Sequence, residues 1–128
     1  MTKDNKEFSK ELKARIYKFI LNLITFIETL PKNDSLCKVV TNQLLRSGTS
    51  IGANYVEAIA GSSKKDFTNF LTHSLKSANE SKFWLALLRD THKGKKNTIN
   101  SLLRELKEIS KILGSSVRTL KTKQHLSH

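Results

Sequence analysis

Gly48-Thr49-Ser50-Ile51-Gly52 spells the pattern G-x-S-x-G letter for letter, the pattern that in α/β-hydrolases lifts a serine nucleophile on a sharp turn between a strand and a helix. That chemistry requires the strand and the sheet beneath it as well as the letters. Here Val40, Leu44, Gly48, Ile51, Tyr55 and Ala58 recur at three- and four-residue steps through the motif and on both sides of it, which is the period of a helix. A loop through the two glycines is the competing reading. The unbroken register favours a helix, and serine hydrolysis is set aside.

The other reactive side chains form no catalytic set. Glu57 and Glu80 are two carboxylates without a nucleophile or metal ligands beside them. A di-iron helical bundle would need Glu-x-x-His pairs to project carboxylate and imidazole together, and no Glu has His three residues later. His73, His92, His125 and His128 stand without an i,i+4 partner and read as surface residues. No catalytic residue, cofactor site or metal site is therefore expected, and the chain reads as no enzyme. Arg46, Ser50, Asn54 and Glu57, with Lys76, Asn79 and Glu80, repeat at helical spacing beside apolar stripes. Polar groups at a core edge need partners, so hydrogen bonds between the second and third helices are expected of them.

Charge points to a partner. The chain carries 23 Lys or Arg against 11 Asp or Glu, a net charge of +12, and such a surface attracts polyanions. Lys93, Lys95, Lys96, Arg104, Lys107, Lys111, Arg118, Lys121 and Lys123 all fall in the last 38 residues, against Glu105 and Glu108. These nine cations are the candidate phosphate contacts for RNA or DNA, with little sequence selectivity because no base-reading motif accompanies them. Cys37 is the single cysteine, so no intramolecular disulfide can form; with no apolar leader at the N-terminus, the expected location is the cytoplasm. No run is long and apolar enough for a membrane span.

Four periodic segments must position these residues. They are expected over residues 7–30, 35–59, 64–91 and 97–120 of a single domain. The first carries Leu12, Ile16, Phe19, Ile20, Leu23, Ile27 and Leu30 and stops at Pro31, and Asn33, Asp34 and Ser35 offer oxygens to cap the second. Gly48 and Gly52 mark a close helix crossing. Ser63 and Asp66 resemble a capping box for the third helix, whose stripe is Phe67, Phe70, Leu71, Ser74, Ala78, Ser81, Leu85 and Leu88. Gly94 is expected to end it. The fourth carries Ile99, Leu102, Leu103, Leu106, Ile109, Leu113, Val117 and Leu120, with Arg104, Glu108 and Lys111 spaced for pairing on its other side. Residues 121–128 lack an apolar period and are expected to be disordered or frayed. Short connections make neighbouring helices antiparallel, so the fold class is an all-α, up-down-up-down four-helix bundle. Residues 83–88, Phe-Trp-Leu-Ala-Leu-Leu, are apolar around the whole helix, and Phe83, Trp84 and Leu87 are the candidate interface of a homo-oligomer.

The blocks running from Leu44 to Ala58, Ser63 to Phe67 and Ser77 to Leu85 resemble the bacterial four-helix-bundle family labelled the 23S ribosomal RNA intervening sequence proteins, related to the accessory variability proteins of diversity-generating retroelements. The resemblance covers essentially the whole chain. It departs where members commonly have Glu-Gly after the second helix, since this chain reads Glu57-Ala58-Ile59-Ala60-Gly61. The resemblance implies a homo-oligomer, a five-subunit ring, encoded within segments inserted into ribosomal RNA genes; for the retroelement relatives it implies binding of reverse transcriptase and of nucleic acid. The two functions to distinguish are a non-catalytic nucleic-acid-binding scaffold and a protein-interaction module for a polymerase or reverse-transcriptase-like partner.

Overall fold

The computed structural model describes the backbone of residues 3–126 and the side chains of residues 6–123. Over these residues the chain forms four helices and no strand: α1 (Lys3–Ile27), α2 (Ser35–Ala60), α3 (Lys64–Asp90) and α4 (Lys96–Leu126). Each packs on the next and α4 returns to α1, with α2 against α3 the most extensive contact. The G-x-S-x-G segment lies within the unbroken α2 helix, so the strand-to-helix corner of a hydrolase does not exist there.

Local chemistry sets most helix ends. Asp34 is extended and its Oδ2 accepts the Cys37 N–H at 2.9 Å, while Ser63 Oγ accepts the Asp66 N–H at 3.1 Å. Each satisfies one of the unpaired donors of a first turn. At the end of α1 the bonds tighten, with Thr29 N–H on Phe26 O and Leu30 N–H on Ile27 O. Pro31 disfavours helical geometry at the residue before it, so α1 ends at Ile27 rather than at 30.

Two expectations about helix ends are corrected. His92, not Gly94, closes α3: it adopts φ 60°, its N–H bonds Arg89 O, and the Lys93 N–H bonds Leu88 O. This pair of bonds is the Schellman arrangement, which turns the chain out of a helix through one left-handed residue. Gly94, at φ 78°, then redirects the chain toward α4. The second correction concerns the tail. Residues 121–126 continue α4; Lys, Gln and Leu are good helix formers and no Gly or Pro follows Gly114, so the backbone stays helical without an apolar face. Residues 127 and 128 lie outside the described residues.

The core takes the stripes as spaced. Ile16, Phe19 and Leu23 of α1, Leu44 and Ile51 of α2, Leu71 and Leu85 of α3, and Leu106, Ile109 and Leu113 of α4 are almost wholly buried. A Cβ on Gly52 would come within 2.8 Å of Ile20 Cδ1, and one on Gly48 would collide with Leu23 Cδ2. The glycines therefore form a notch in α2 that receives α1 side chains. The close approach of α2 to α3 is made by serines: Ser47 and Ser81 share a 2.8 Å hydrogen bond, and Ser74 Oγ donates to Ile51 O at 2.8 Å.

Candidate nucleic-acid interface

Arg104, Lys107, Lys111 and Arg118 are all exposed on α4. They stand three, seven and fourteen residues beyond Arg104. At about 100° per residue those steps bring all four within a sector of about 60°, along about 21 Å of helix. The buried stripe of Ile99, Leu106, Ile109, Leu113 and Val117 holds another side of α4 in the core, which fixes the cationic sector outward. The pairing expected of Arg104 and Lys111 with Glu108 is not among the ion pairs of the described residues. Glu105 turns instead to Arg15 on α1, accepting its Nη2 at 2.6 Å and its Nε at 3.0 Å. That hydrogen bond, with the added fields of Glu105 and Glu108, raises the Arg15 pKa. A carboxylate is thereby held toward α1.

Not all nine candidate cations belong to this stripe. Lys93 is engaged elsewhere: its Nζ donates to Asp34 Oδ1 at 2.8 Å, tying the α3–α4 loop to the N-cap of α2. The bond raises the Lys93 pKa and, with the Cys37 N–H, lowers that of Asp34 to about 2. Lys93 is therefore held in a loop ion pair, apart from the α4 stripe. Lys95 is exposed just before α4; the exposed Lys96 and Lys121 lie within about 40° of the sector's edge near either end of the helix, and the exposed Lys123 is rotated well away from it.

The polar set expected to bridge α2 and α3 does not do so. Arg46, Glu57, Lys76, Asn79 and Glu80 are exposed. Asn54 Nδ2 donates to Ser50 O within α2, and Glu80 Oε2 accepts Trp84 Nε1–H at 2.9 Å within α3. The reason is size: long polar side chains at the edge of a close contact turn to solvent or to their own helix, and only a hydroxyl fits between the two backbones. Ser74 and Ser81 stand in the apolar stripe read from the sequence, and it is these hydroxyls, with that of Ser47, that bond across the contact.

Phe83 is 58% exposed and its ring meets Trp84 edge-on at 4.9 Å, while Trp84 and Leu87 are half-buried. Cys37 is buried and unpaired, and burial pushes its thiol pKa up. No three His, Cys, Asp or Glu side chains among the described residues cluster as metal ligands, and no described helix is long and apolar enough to cross a membrane.

The sequence model of the family described as 23S rRNA-intervening sequence protein matches residues 7–115. The chain belongs to that family. As a member of it, the chain is similar in structure to a Bacteroides thetaiotaomicron protein described as being of unknown function and from the S23 ribosomal protein family. The two are 37% identical, with a TM-score of 0.73, over 86% of this chain and 97% of that one. The matched family range contains Arg104, Lys107 and Lys111 and ends before Arg118. No curated protein matches the chain.

Proposed function

We propose that this family member is a non-catalytic, homo-oligomeric scaffold that binds RNA or DNA through backbone phosphates, working in the cytoplasm and with little sequence selectivity. The observation that carries the reading is the α4 stripe: four exposed cations on one sector, with the neighbouring Glu105 drawn off to Arg15. Such a row meets phosphates and offers no geometry for reading base edges. Self-association is supported by Phe83, whose ring stands in water beside Trp84, because apolar side chains clustered on a surface mark contact sites. Five subunits in a ring, and kinship with retroelement accessory proteins, complete the reading. An oligomer would also present several stripes to one polyanion and gain in avidity.

The test is fluorescence anisotropy with a labelled RNA duplex across a salt series. Four phosphate contacts predict a log–log slope near −3.6, so affinity should fall by about 100-fold between 50 and 200 mM salt. Replacing Arg104 and Lys111 with Gln should flatten that slope by about 2. A slope near zero, or one unchanged by the double replacement, would sink the proposal. Light scattering on the same sample reads the subunit number, and a monomer would remove the oligomeric half of the reading.

A further inference from the structure

Where the first turns of α1, the last turn of α2 and the start of α3 meet, the surface is hollowed by about 730 Å³, within the range that small organic ligands occupy. The charged residues among the described ones that line it are all cationic. Lys6, Lys10 and Lys13 line the α1 side at steps of four and three residues, and Lys64 stands across from them at the first position of α3. No carboxylate is among the described residues lining it. The floor is apolar, made by Val56 and Ile59 of α2, which are 43% and 45% exposed, and by the half-buried Phe67 of α3.

The hollow carries two unfavourable features. Four ammonium groups around one depression repel one another, and two β-branched side chains at its base face water. A ligand relieves both only if it joins negative charge to a hydrocarbon body. We infer that this hollow binds an amphiphilic organic anion, one carboxylate or phosphate head on an apolar chain, with the head among the lysines and the chain on Val56, Ile59 and Phe67. A nucleotide fits less well. The uncharged polar side chains of the described lining are the short hydroxyls of Ser9, Ser62 and Ser63, and Ser63 Oγ already accepts the Asp66 N–H. Among the described lining residues there is no carboxamide or carboxylate to read the edge of a base. The described lining contains no α4 residue, so the inference stands apart from the nucleic-acid reading.

The experiment titrates the full chain with dansyl-undecanoic acid below its micelle concentration, following dansyl emission. The expected result is saturable binding at one per chain, displaced by dodecanoate and by dodecyl phosphate but not by dodecanol or inorganic phosphate at equal concentration. Lys10→Gln with Lys64→Gln should weaken binding by about tenfold, the sum of two surface charge contacts, and Ile59→Ser should weaken it several-fold through lost apolar area. Lys10→Arg with Lys64→Arg should retain it, and Arg104→Gln with Lys111→Gln should leave it unchanged, while helical circular dichroism shows each variant folded. The idea is overturned by non-saturable binding, by equal displacement with dodecanol or with inorganic phosphate, or by indifference to the Lys→Gln pair.

Discussion

The hydroxyl oxygens of Ser47 and Ser81 lie 2.8 Å apart in the contact between α2 and α3, and both serines are buried. Ser81 also donates to Ser77 O at 2.9 Å, which leaves its oxygen to accept the Ser47 proton. Ser47→Ala therefore costs the shared bond, about 1 kcal/mol, and Ser81→Ala costs that bond and its own to Ser77 O, about 1–2 kcal/mol. The double replacement should cost less than the sum, because it leaves neither partner unpaired. Urea unfolding in a double-mutant cycle measures the coupling, expected at about 0.5–1 kcal/mol. Ser81→Val, which adds volume where two backbones approach, should cost more, about 1–3 kcal/mol.

Gly48 and Gly52 should part company when each is replaced by alanine. Either change gains about 1 kcal/mol of helix propensity. At Gly52 the new methyl meets the tip of Ile20, a half-buried side chain with room to turn toward solvent, so Gly52→Ala should be neutral or slightly stabilising. At Gly48 it collides with Leu23, which is fully buried. Gly48→Ala should lose about 1–3 kcal/mol through forced repacking. Thermal unfolding of the two variants side by side checks the sign of each.

His92 holds a left-handed conformation that a side chain disfavours by about 1–2 kcal/mol. His92→Gly should therefore raise stability by about 1 kcal/mol, and His92→Val should lower it, since a β-branched residue fits that region worst. Were His92→Gly to destabilise the chain, the turn would depend on the imidazole rather than on backbone geometry. Denaturant midpoints decide it.

The Asp34–Lys93 bond predicts an acid-sensitive component of stability. Asp34 titrates at about 2 in the folded chain against about 3.9 when unfolded. A lowered folded pKa means that the stabilisation is fully present above about pH 4 and is lost as pH falls toward 2. Asp34→Asn should remove this dependence while retaining an oxygen to cap α2, and Lys93→Gln should reduce it. Unfolding free energy measured from pH 6 to pH 2 reads the effect, and identical pH profiles for wild type and Asp34→Asn would rule it out.

The bundle was legible in the sequence because helix periodicity is local: the spacing that puts Leu44, Ile51 and Tyr55 on one face is decided within α2 itself. The same holds for Asp34 and Ser63 as N-caps, which act on their own next turn. The charge stripe was partly legible. Arg104, Lys107, Lys111 and Arg118 share a sector by spacing alone, whereas Lys93, equally basic on paper, is drawn to a partner 59 residues away. No local signal could show that.

What the sequence by itself determined is therefore the number of helices, the face each buries and the excess of positive charge, because all three follow from the order of residues within a turn or two. The tertiary structure alone decided which polar groups meet. Ser47 reached Ser81, Arg15 took Glu105 from 90 residues away, and three lysines of α1 came to face Lys64 across one hollow. These depend on how far each helix is rotated and how closely it approaches its neighbour, and that is settled by the fit of side chains such as Leu23 against Gly48, not by any one segment.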